Sequence, residues 1–311
     1  MYKKFMELID NKSLGGSRVC VAAADNGSVA AINIAMRRGL GGAVLVGDKS
    51  AIAGEAERFG ILDKVEIIHA PTPQLAALAA VEYARRGGID ALMKGLVNTQ
   101  DFLRAVLDRE HGLRAGRLLS HLTVMEIPGE ERLSFCSDGG FIVLPDLRQK
   151  KEILRNAVEA IHGLGYDHVN VACVAANERV DEKMPATVDA AALAEASRAG
   201  EFDDLPCACT VEGPMAIDVV ASQAAAVRKG IKSEISGKVD MALVPNIECG
   251  NILCKTLIHY AHAEHTGFVV GARIPIILVS RSDTSENKFL GMALSCVISG
   301  NCRRNGKNAN V

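Results

Sequence analysis

The fold is decided by residues 17–46, SRVCVAAADNGSVAAINIAMRRGLGGAVLV, which read as an apolar strand, a helix and a second apolar strand. The strands are predicted at Val19–Ala24 and Ala43–Val46, with a helix ending at Arg38 between them. Strands that are apolar along their whole length are typical of a parallel sheet covered by helices on both faces. This segment therefore predicts a βαβ unit.

The same alternation continues through both halves of the chain and predicts an α/β fold. Helices are expected up to Gly60, after Pro73, at Leu147–His162 and at Phe289–Ile298. The sheets should be mainly parallel, because strands separated by helices are joined by crossover connections. The remaining strands are predicted at Val65–His69, Ile89–Met93, Val169–Ala175, Cys207–Val211, Met241–Val244 and Ile274–Val279.

The middle of the chain interrupts this alternation. Leu133–Ser137 and Phe141–Leu144 flank the turn Asp138-Gly139-Gly140, a pattern typical of a hairpin. Such an interruption often marks a crossing between domains, so we place a boundary at residue 140. A chain of 311 residues also has the length of two domains, and two domains imply a cleft.

Composition and charge exclude several classes of protein. Hydrophobic residues make up 49% of the chain and charged residues 23%, which is typical of a globular protein with a large core. A net charge of −2 with interspersed signs predicts neither a nucleic acid nor a membrane partner. The first 16 residues lack the apolar run of a secretory signal, so we expect a cytoplasmic protein. Its nine cysteines lack zinc-site spacing and are expected to be buried thiols.

A lysine loop, Lys94-Gly95-Leu96-Val97-Asn98-Thr99, lies between a predicted strand and a helix. Main-chain amides and the helix dipole favour anions at such a position, and the lysine and threonine add donors. A capped loop with a solvated lysine explains the same pattern. Both interpretations stay open. No dinucleotide-binding fingerprint or P-loop spacing is present in the chain.

A second stretch, Asn246–Asn251, follows another strand and is interpreted as a loop leading into a helix that carries Lys255. The two loops are candidates for the lining of one cleft. A capping asparagine with a glycine turn is a sufficient structural explanation for the second loop.

Ser280-Arg281 comes directly after the last predicted strand. A guanidinium at a strand end is suited to bind phosphate through paired hydrogen bonds, and the adjacent hydroxyl adds a donor. The alternative is an exposed loop arginine paired with Asp283, which is a common and weak interaction.

Histidines provide weaker candidates. His259, His262 and His265 are spaced three residues apart, and their angular drift on a helix favours a partly exposed face over a metal site. We predict no metal. His121 follows Leu118-Leu119-Ser120 at the expected start of a strand, where a buried structural imidazole and a site residue are both possible.

Taken together, five strings resemble the phosphate acetyl/butyryltransferase family, and most closely its butyryl-transferring branch. The resemblance extends over nearly the whole chain, and the strings occur in the order of the family. They are Met93–Thr99, Gly116–His121, Val211–Asp218, Gly250-Asn251 with Lys255, and Ser280-Arg281-Ser282-Asp283.

The resemblance implies two α/β domains of the isocitrate and isopropylmalate dehydrogenase kind. The first would be discontinuous, residues 1–140 plus 268–311, and the second would comprise residues 141–267. The resemblance also implies that coenzyme A lies in an interdomain cleft as substrate or product, that no cofactor is bound permanently, and that the chain forms a homodimer or a higher homo-oligomer.

The activity implied is reversible transfer of a short acyl group, butyryl being favoured, between coenzyme A and inorganic phosphate without a covalent enzyme intermediate. Ser280 and Arg281 would act at the thioester and the phosphate. The other candidate residues of the phosphate and coenzyme A site are Lys94, Asn98, Thr99, Ser120, His121, Asn251, Lys255 and Glu286.

The family's acetyltransferases place a carboxylate several residues after the serine-arginine pair, where this chain has Asn287. An amide cannot accept a proton, so the base for the thiol is expected elsewhere. Asp283 is the candidate that we favour. Glu286 is a second, and a thiolate stabilised by Arg281 would make a base unnecessary.

Three other functions compete with butyryl transfer. One is an acetyl- or propionyl-preferring transferase, because the sequence does not locate the depth of the acyl pocket. Another is an NAD- and metal-dependent oxidoreductase of the same fold, supported only by the His259 series. The last is a non-catalytic acyl-CoA binding protein, suggested by Asn287.

Overall fold

The structure, a computed structural model, describes residues 3–10, 14–278 and 283–304. Its helices are α1 (Phe5–Asp10), α2 (Asn26–Arg37), α3 (Lys49–Arg58), α4 (Pro73–Arg86), α5 (Thr99–Val106), α6 (Leu147–Gly163), α7 (Pro185–Arg198), α8 (Ile217–Ala221), α9 (Gln223–Lys229), α10 (Ile247–Tyr260) and α11 (Ser285–Arg304).

Its strands are β1 (Arg18–Ala22), β2 (Gly42–Gly47), β3 (Val65–His69), β4 (Ala91–Lys94), β5 (Ser120–Glu126), β6 (Ser134–Ser137), β7 (His168–Val174), β8 (Ala208–Met215), β9 (Met241–Leu243), β10 (Glu264–Val270) and β11 (Ile276–Ile277). The predicted α/β class is confirmed. None of the helices in the described ranges combines the length and apolar character needed to cross a bilayer.

The chain divides into two compact units. The terminal unit comprises Phe5–Arg117 and the described residues from Thr266 onward, and the central unit comprises Leu118–His265 and the residues before Phe5. The boundary near the carboxyl end therefore falls inside β10, after His265. The functional division at residues 140 and 267 stays a prediction.

In the terminal unit the strand order is β3-β2-β1-β4-β11-β10, and all neighbours are parallel except β10 and β11. Every residue of β2 is buried, as are four of the five residues of β1, which explains their continuous apolar sequences. Asp25 starts α2 as a capping box with Ser28. The βαβ unit predicted from residues 17–46 is confirmed.

In the central unit the order is β5-β6-β9-β7-β8, with β5 and β6 antiparallel and the other neighbours parallel. Helix α6 begins at a second capping box, in which Asp146 and Gln149 exchange hydrogen bonds. It buries Ile153, Leu154 and Ile161. The helix predicted at Leu147–His162 is confirmed.

The predicted hairpin at residues 133–144 is wrong. Ser134–Ser137 does form β6, but Phe141–Leu144 forms no strand. The antiparallel partner of β6 is β5, which precedes it, and its other neighbour is β9. The turn is instead closed by Asp138, whose carboxylate accepts from the N–H groups of Gly140 and Phe141 at 2.9 and 2.8 Å. These side-chain bonds replace the main-chain pairing of a hairpin.

The histidine series does not share one helix face. Helix α10 ends at Tyr260, so only His259 is helical, while His262 has a left-handed φ of 56° and His265 lies in β10. Helical spacing in the sequence was misleading because the chain turns after Tyr260.

Candidate active site

The carboxyl ends of three neighbouring parallel strands define one edge of the terminal unit. Ala22 in β1 pairs with Lys94 in β4, and Met93 pairs with Ile277 in β11. In open α/β sheets, ligands bind outside the carboxyl ends of the strands. The lysine loop therefore lies at the edge where a site is expected.

Lys94 is the last residue of β4 and is only 5% exposed. Its Nζ donates to the carbonyl oxygens of Gly95 and Val97 at 3.2 and 3.3 Å. The solvated lysine of the alternative interpretation is thereby excluded. The ammonium group orders the loop that follows it, and a direct role with substrate stays a prediction.

Gly95 fits the loop closely against the end of β1. Its N–H donates to the oxygen of Ala22 at 2.8 Å, and the N–H of Leu96 donates to the oxygen of Ala23 at 2.7 Å. A Cβ at position 95 would lie 2.2 Å from the Ala23 oxygen. No side chain is compatible with this approach, which explains the glycine.

Asn98 and Thr99 start helix α5. The Asn98 side chain accepts from the N–H of Gln100 at 2.8 Å, as an N-cap does. Both residues are exposed. The capping interpretation of this loop is therefore correct, and it leaves both side chains accessible to solvent.

The segment after β11 is described in part. Ser280 and Arg281 lie outside the described residues. Asp283 is half-buried and Glu286 is exposed in the first turn of α11. Asn287 donates its N–H to the Thr284 hydroxyl at 3.1 Å, and its carbonyl accepts from the Thr266 hydroxyl at 3.2 Å.

In the central unit, Asp138 organises a second group of candidates. This residue is 2% exposed and accepts from the N–H of His121 at 2.9 Å as well as from the turn that follows it. The Ser137 hydroxyl donates to the His121 carbonyl at 2.8 Å. The start of β5 is thus fixed against the end of β6.

The His121 imidazole lies against this turn. A Cβ at Gly140 would lie 3.0 Å from His121 Nδ1, and the Thr123 hydroxyl lies 3.4 Å from the same nitrogen. Burial lowers the pKa of His121 below 6.5, and the Asp138 carboxylate partly opposes this effect. The ring is therefore neutral at pH 7, so one nitrogen donates and the other accepts.

Asn251 approaches the same turn. A Cβ at Gly250 would lie 2.6 Å from the Gly139 Cα, so two glycines allow α10 to pack directly on the turn. The Asn251 amide donates to the Gly139 oxygen at 3.5 Å. The central unit thus brings His121 and Asn251 together around residues 138–140.

The predicted loop at Asn246–Asn251 is the start of a helix. Asn246 caps α10 by accepting from the N–H of Cys249 at 2.9 Å, so the helix begins at Ile247. Lys255 is exposed one turn beyond Asn251. The glycine that predicted a turn is needed for close packing instead.

Ser120 is placed apart from the other candidates. It is fully buried, and its hydroxyl accepts from the Asn156 amide of α6 at 3.1 Å. The same amide donates to the Leu118 oxygen at 2.7 Å. These bonds attach β5 to α6, which is a structural role on the sheet interior.

The sequence profile of one family matches residues 64–296, and that family is described as "Phosphate acetyl/butaryl transferase". The chain belongs to this family. It is 40% identical over 304 residues to a phosphate butyryltransferase of Clostridium acetobutylicum, covering 97% of this chain and 100% of the relative.

Other members of the transferase family are also similar to the chain. A phosphate acetyltransferase of Thermotoga maritima is 37% identical, with 95% of this chain and 98% of the relative covered. A solved branched-chain phosphotransacylase from Enterococcus faecalis is 26% identical, with a TM-score of 0.77 over 91% of this chain and 99% of the other. The predicted family resemblance is confirmed.

One string that carries the family resemblance, Val211–Asp218, includes the end of β8. This strand is the last in the order of the central unit, and it lines a cavity of about 860 Å³ together with Ser233 and Glu234. The Glu212 carboxylate accepts from the Glu234 N–H at 2.8 Å and from the Ser233 hydroxyl. Glu212 therefore fixes the loop that contains Ser233 and Glu234 beside β8.

Sequence reasoning missed two buried charged residues, Asp138 after β6 and Lys288 in the first turn of α11. Asp138 was interpreted only as part of a turn, although it directly follows an apolar strand. Lys288 directly precedes the helix predicted at Phe289–Ile298 and was not considered, and it is 8% exposed. The apolar residues that follow Lys288 in the sequence were an available signal that this part of the helix is buried.

The eight cysteines whose side chains the structure describes are all free. Five are buried, Cys207 and Cys209 are half-buried, and Cys249 is exposed. Within residues 3–10, 14–278 and 283–304, no three His, Cys, Asp or Glu side chains are grouped as metal ligands.

Proposed function

We propose that this chain transfers a short acyl group, with butyryl favoured, between coenzyme A and inorganic phosphate. The observation that carries the proposal is the 40% identity to a phosphate butyryltransferase across nearly the full length of both chains. The likeness to the branched-chain phosphotransacylase adds support for a short acyl substrate.

In the proposed reaction a phosphate oxygen attacks the thioester carbonyl carbon. The C–S bond then breaks, coenzyme A leaves as the thiolate, and an acyl phosphate forms. No covalent enzyme intermediate is needed, because the nucleophile and the leaving group both belong to substrates. Catalysis then depends on positioning the reactants and on stabilising the developing oxyanion.

The residues proposed for this chemistry follow the family resemblance. Arg281 would neutralise phosphate and the oxyanion, and Ser280 would donate to the sulfur or the carbonyl oxygen. The substrate-binding residues proposed are Lys94, Asn98, Thr99, His121, Asn251, Lys255 and Glu286. Lys94 fits a positioning role, since its ammonium group holds the loop that presents Asn98.

A thiol-release assay tests the function directly. Acetyl-, propionyl-, butyryl- and isobutyryl-CoA are supplied with and without inorganic phosphate, and free thiol is measured together with acyl phosphate. We expect phosphate-dependent release, fastest with butyryl- or isobutyryl-CoA. Binding of acyl-CoA without turnover would contradict the proposal and would support an acyl-CoA binding protein, the function that Asn287 suggests.

Asp283→Asn tests the proposed base. In the direction that consumes acyl phosphate, the thiol of coenzyme A must lose a proton, and a positioned base contributes about 10²- to 10⁴-fold to such a step. We expect the turnover number to fall by at least about tenfold while the dissociation constant of coenzyme A is unchanged. Asp63→Asn, at an exposed carboxylate outside the proposed site, is the matched control, and Glu286→Gln tests the second candidate base. Unchanged turnover in Asp283→Asn removes this residue from the mechanism.

We further propose that the protein acts in the cytoplasm without a permanently bound cofactor. Its free, mainly buried cysteines are consistent with a reducing compartment. Activity of extensively dialysed protein with only acyl-CoA and phosphate added would support the second part, and recovery only on addition of a cofactor would contradict it.

A further inference from the structure

Lys288 is a buried cation without a partner in the described chain. It lies in the first turn of α11 and is 8% exposed, and its ammonium group makes no hydrogen bond or ion pair to any residue that the structure describes. Burial of an ammonium group without a compensating anion is unfavourable. An anionic group from outside the chain would satisfy it.

The Lys288 ammonium is directed at the amino terminus of α2. A Cβ added to Gly27, the second residue of this helix, would lie 2.7 Å from Lys288 Nζ. The side-chain hydroxyl of Ser285 donates to the Gly27 oxygen at 3.3 Å, which fixes the start of α11 beside α2. Because Gly27 has no side chain, there is room for the ammonium group beside the first turn of α2.

The first turn of α2 has unused donors. Asp25 accepts from the N–H of Ser28 at 2.9 Å and from its hydroxyl at 2.6 Å. The N–H groups of Asn26 and Gly27 have no acceptor within residues 3–10, 14–278 and 283–304. Free amides at the positive end of a twelve-residue helix favour an anion.

The Asp25 carboxylate also lies beside Gly27, and its oxygens would be 3.8 and 3.9 Å from a Cβ at this position. This carboxylate is already hydrogen-bonded to Ser28. Because the carboxylate is engaged in this way, the Lys288 ammonium and the N–H groups of Asn26 and Gly27 remain as donors that need an acceptor. A phosphate group carries several acceptor oxygens and a charge that matches this set.

We propose that Lys288 and the Asn26 and Gly27 amides form a subsite for a phosphate group. The subsite lies beside the carboxyl ends of β1 and β4, and its use in acyl transfer rests on the function proposed above. The phosphate group belongs either to inorganic phosphate and acyl phosphate or to coenzyme A. Both sources share the chemistry that the subsite recognises.

Binding is measured without turnover, by titration calorimetry of the full chain with inorganic phosphate and with coenzyme A separately. Lys288→Met removes the charge. Gly27→Ala keeps the charge but adds a methyl group 2.7 Å from the observed position of the ammonium nitrogen, which must then move. Lys49→Met is the matched control, because Lys49 is exposed at the start of α3.

We expect both site variants to lose at least about tenfold in affinity for one of the two ligands, as removal of a charge-assisted hydrogen bond predicts. If only the affinity for phosphate is lost, the subsite binds inorganic phosphate. If only the affinity for coenzyme A is lost, the subsite binds a phosphate group of coenzyme A. In the second case, turnover of butyryl-pantetheine, which has no phosphate group, should be unaffected by Lys288→Met.

The proposal is overturned if the two site variants are folded, with the melting temperature of the wild type, and bind both ligands as the control does. If Lys288→Met does not fold, Gly27→Ala decides by the same criterion. Suppose that the wild-type protein binds phosphate, that Lys288→Met weakens this binding, and that no thiol is released. This result would contradict the proposed function and would still support the subsite.

Discussion

At the scale of single residues, burial decides what the charged and titratable groups do. Lys94 was open to two interpretations from sequence, and its 5% exposure with bonds to two carbonyl oxygens excludes the solvated one. Asp138 uses its carboxylate on N–H groups of its own turn and of His121. The bond from His121 to Asp138 joins two different strands, and the burial of Lys94 depends on the packing around its loop, so no local pattern contains either.

His121 should make stability sensitive to acid. Its pKa in the folded protein is lower than the ordinary 6.5, so the unfolded chain binds the proton more readily. The free energy of unfolding should therefore have its full value above pH 6.5 and decrease as the pH falls below it. Urea unfolding between pH 5 and 8 would measure this in the wild type and in His121→Gln.

The difference in unfolding free energy between wild type and His121→Gln should shrink as the pH is lowered. The other seven histidines are the same in both proteins, so their titration cancels. A difference that is constant across the range would contradict the lowered pKa.

At the scale of elements, two helical glycines make opposite predictions. Gly54 in α3 has no atom within 4 Å of an added Cβ, so Gly54→Ala should stabilise the protein by about 0.5–1 kcal/mol through helix propensity. Gly250 in α10 contacts the main chain of Gly139, so Gly250→Ala should destabilise it by about 1–3 kcal/mol. Urea unfolding of both variants tests the pair, and equal effects would refute the packing argument.

Most elements could be predicted from the sequence, because apolar runs and caps are local signals. The strand predicted at Val65–His69 has its observed bounds, the cap at Asn98 agrees with the start of α5, and the helix predicted from Leu147 begins there as α6. The failures share one cause. A regular pattern predicted a strand at Phe141–Leu144, but side-chain hydrogen bonds from Asp138 closed the turn instead. A regular spacing also placed the histidines on one helix face, but the chain changes direction after Tyr260.

At the scale of the whole molecule, the composition predicted neither a nucleic acid nor a membrane partner, and the resemblance implied a homodimer. A symmetric dimer is the commonest state of soluble oligomers. We therefore predict that light scattering after gel filtration gives twice the chain mass of 33.0 kDa. A mass equal to one chain at micromolar concentration would contradict the prediction.

The sequence by itself determined the α/β class, the family and most of the elements, because each of these is encoded in local period, caps and motif order. The tertiary structure alone decided that Lys94 is buried in its own loop, that Asp138 joins β5 to β6, and that the Lys288 ammonium lies against Gly27. The second and third contacts join segments that are separated in the chain, and the first depends on burial by the surrounding fold. Burial and hydrogen bonding there depend on which strands become neighbours, and that order is set by packing of the folded chain.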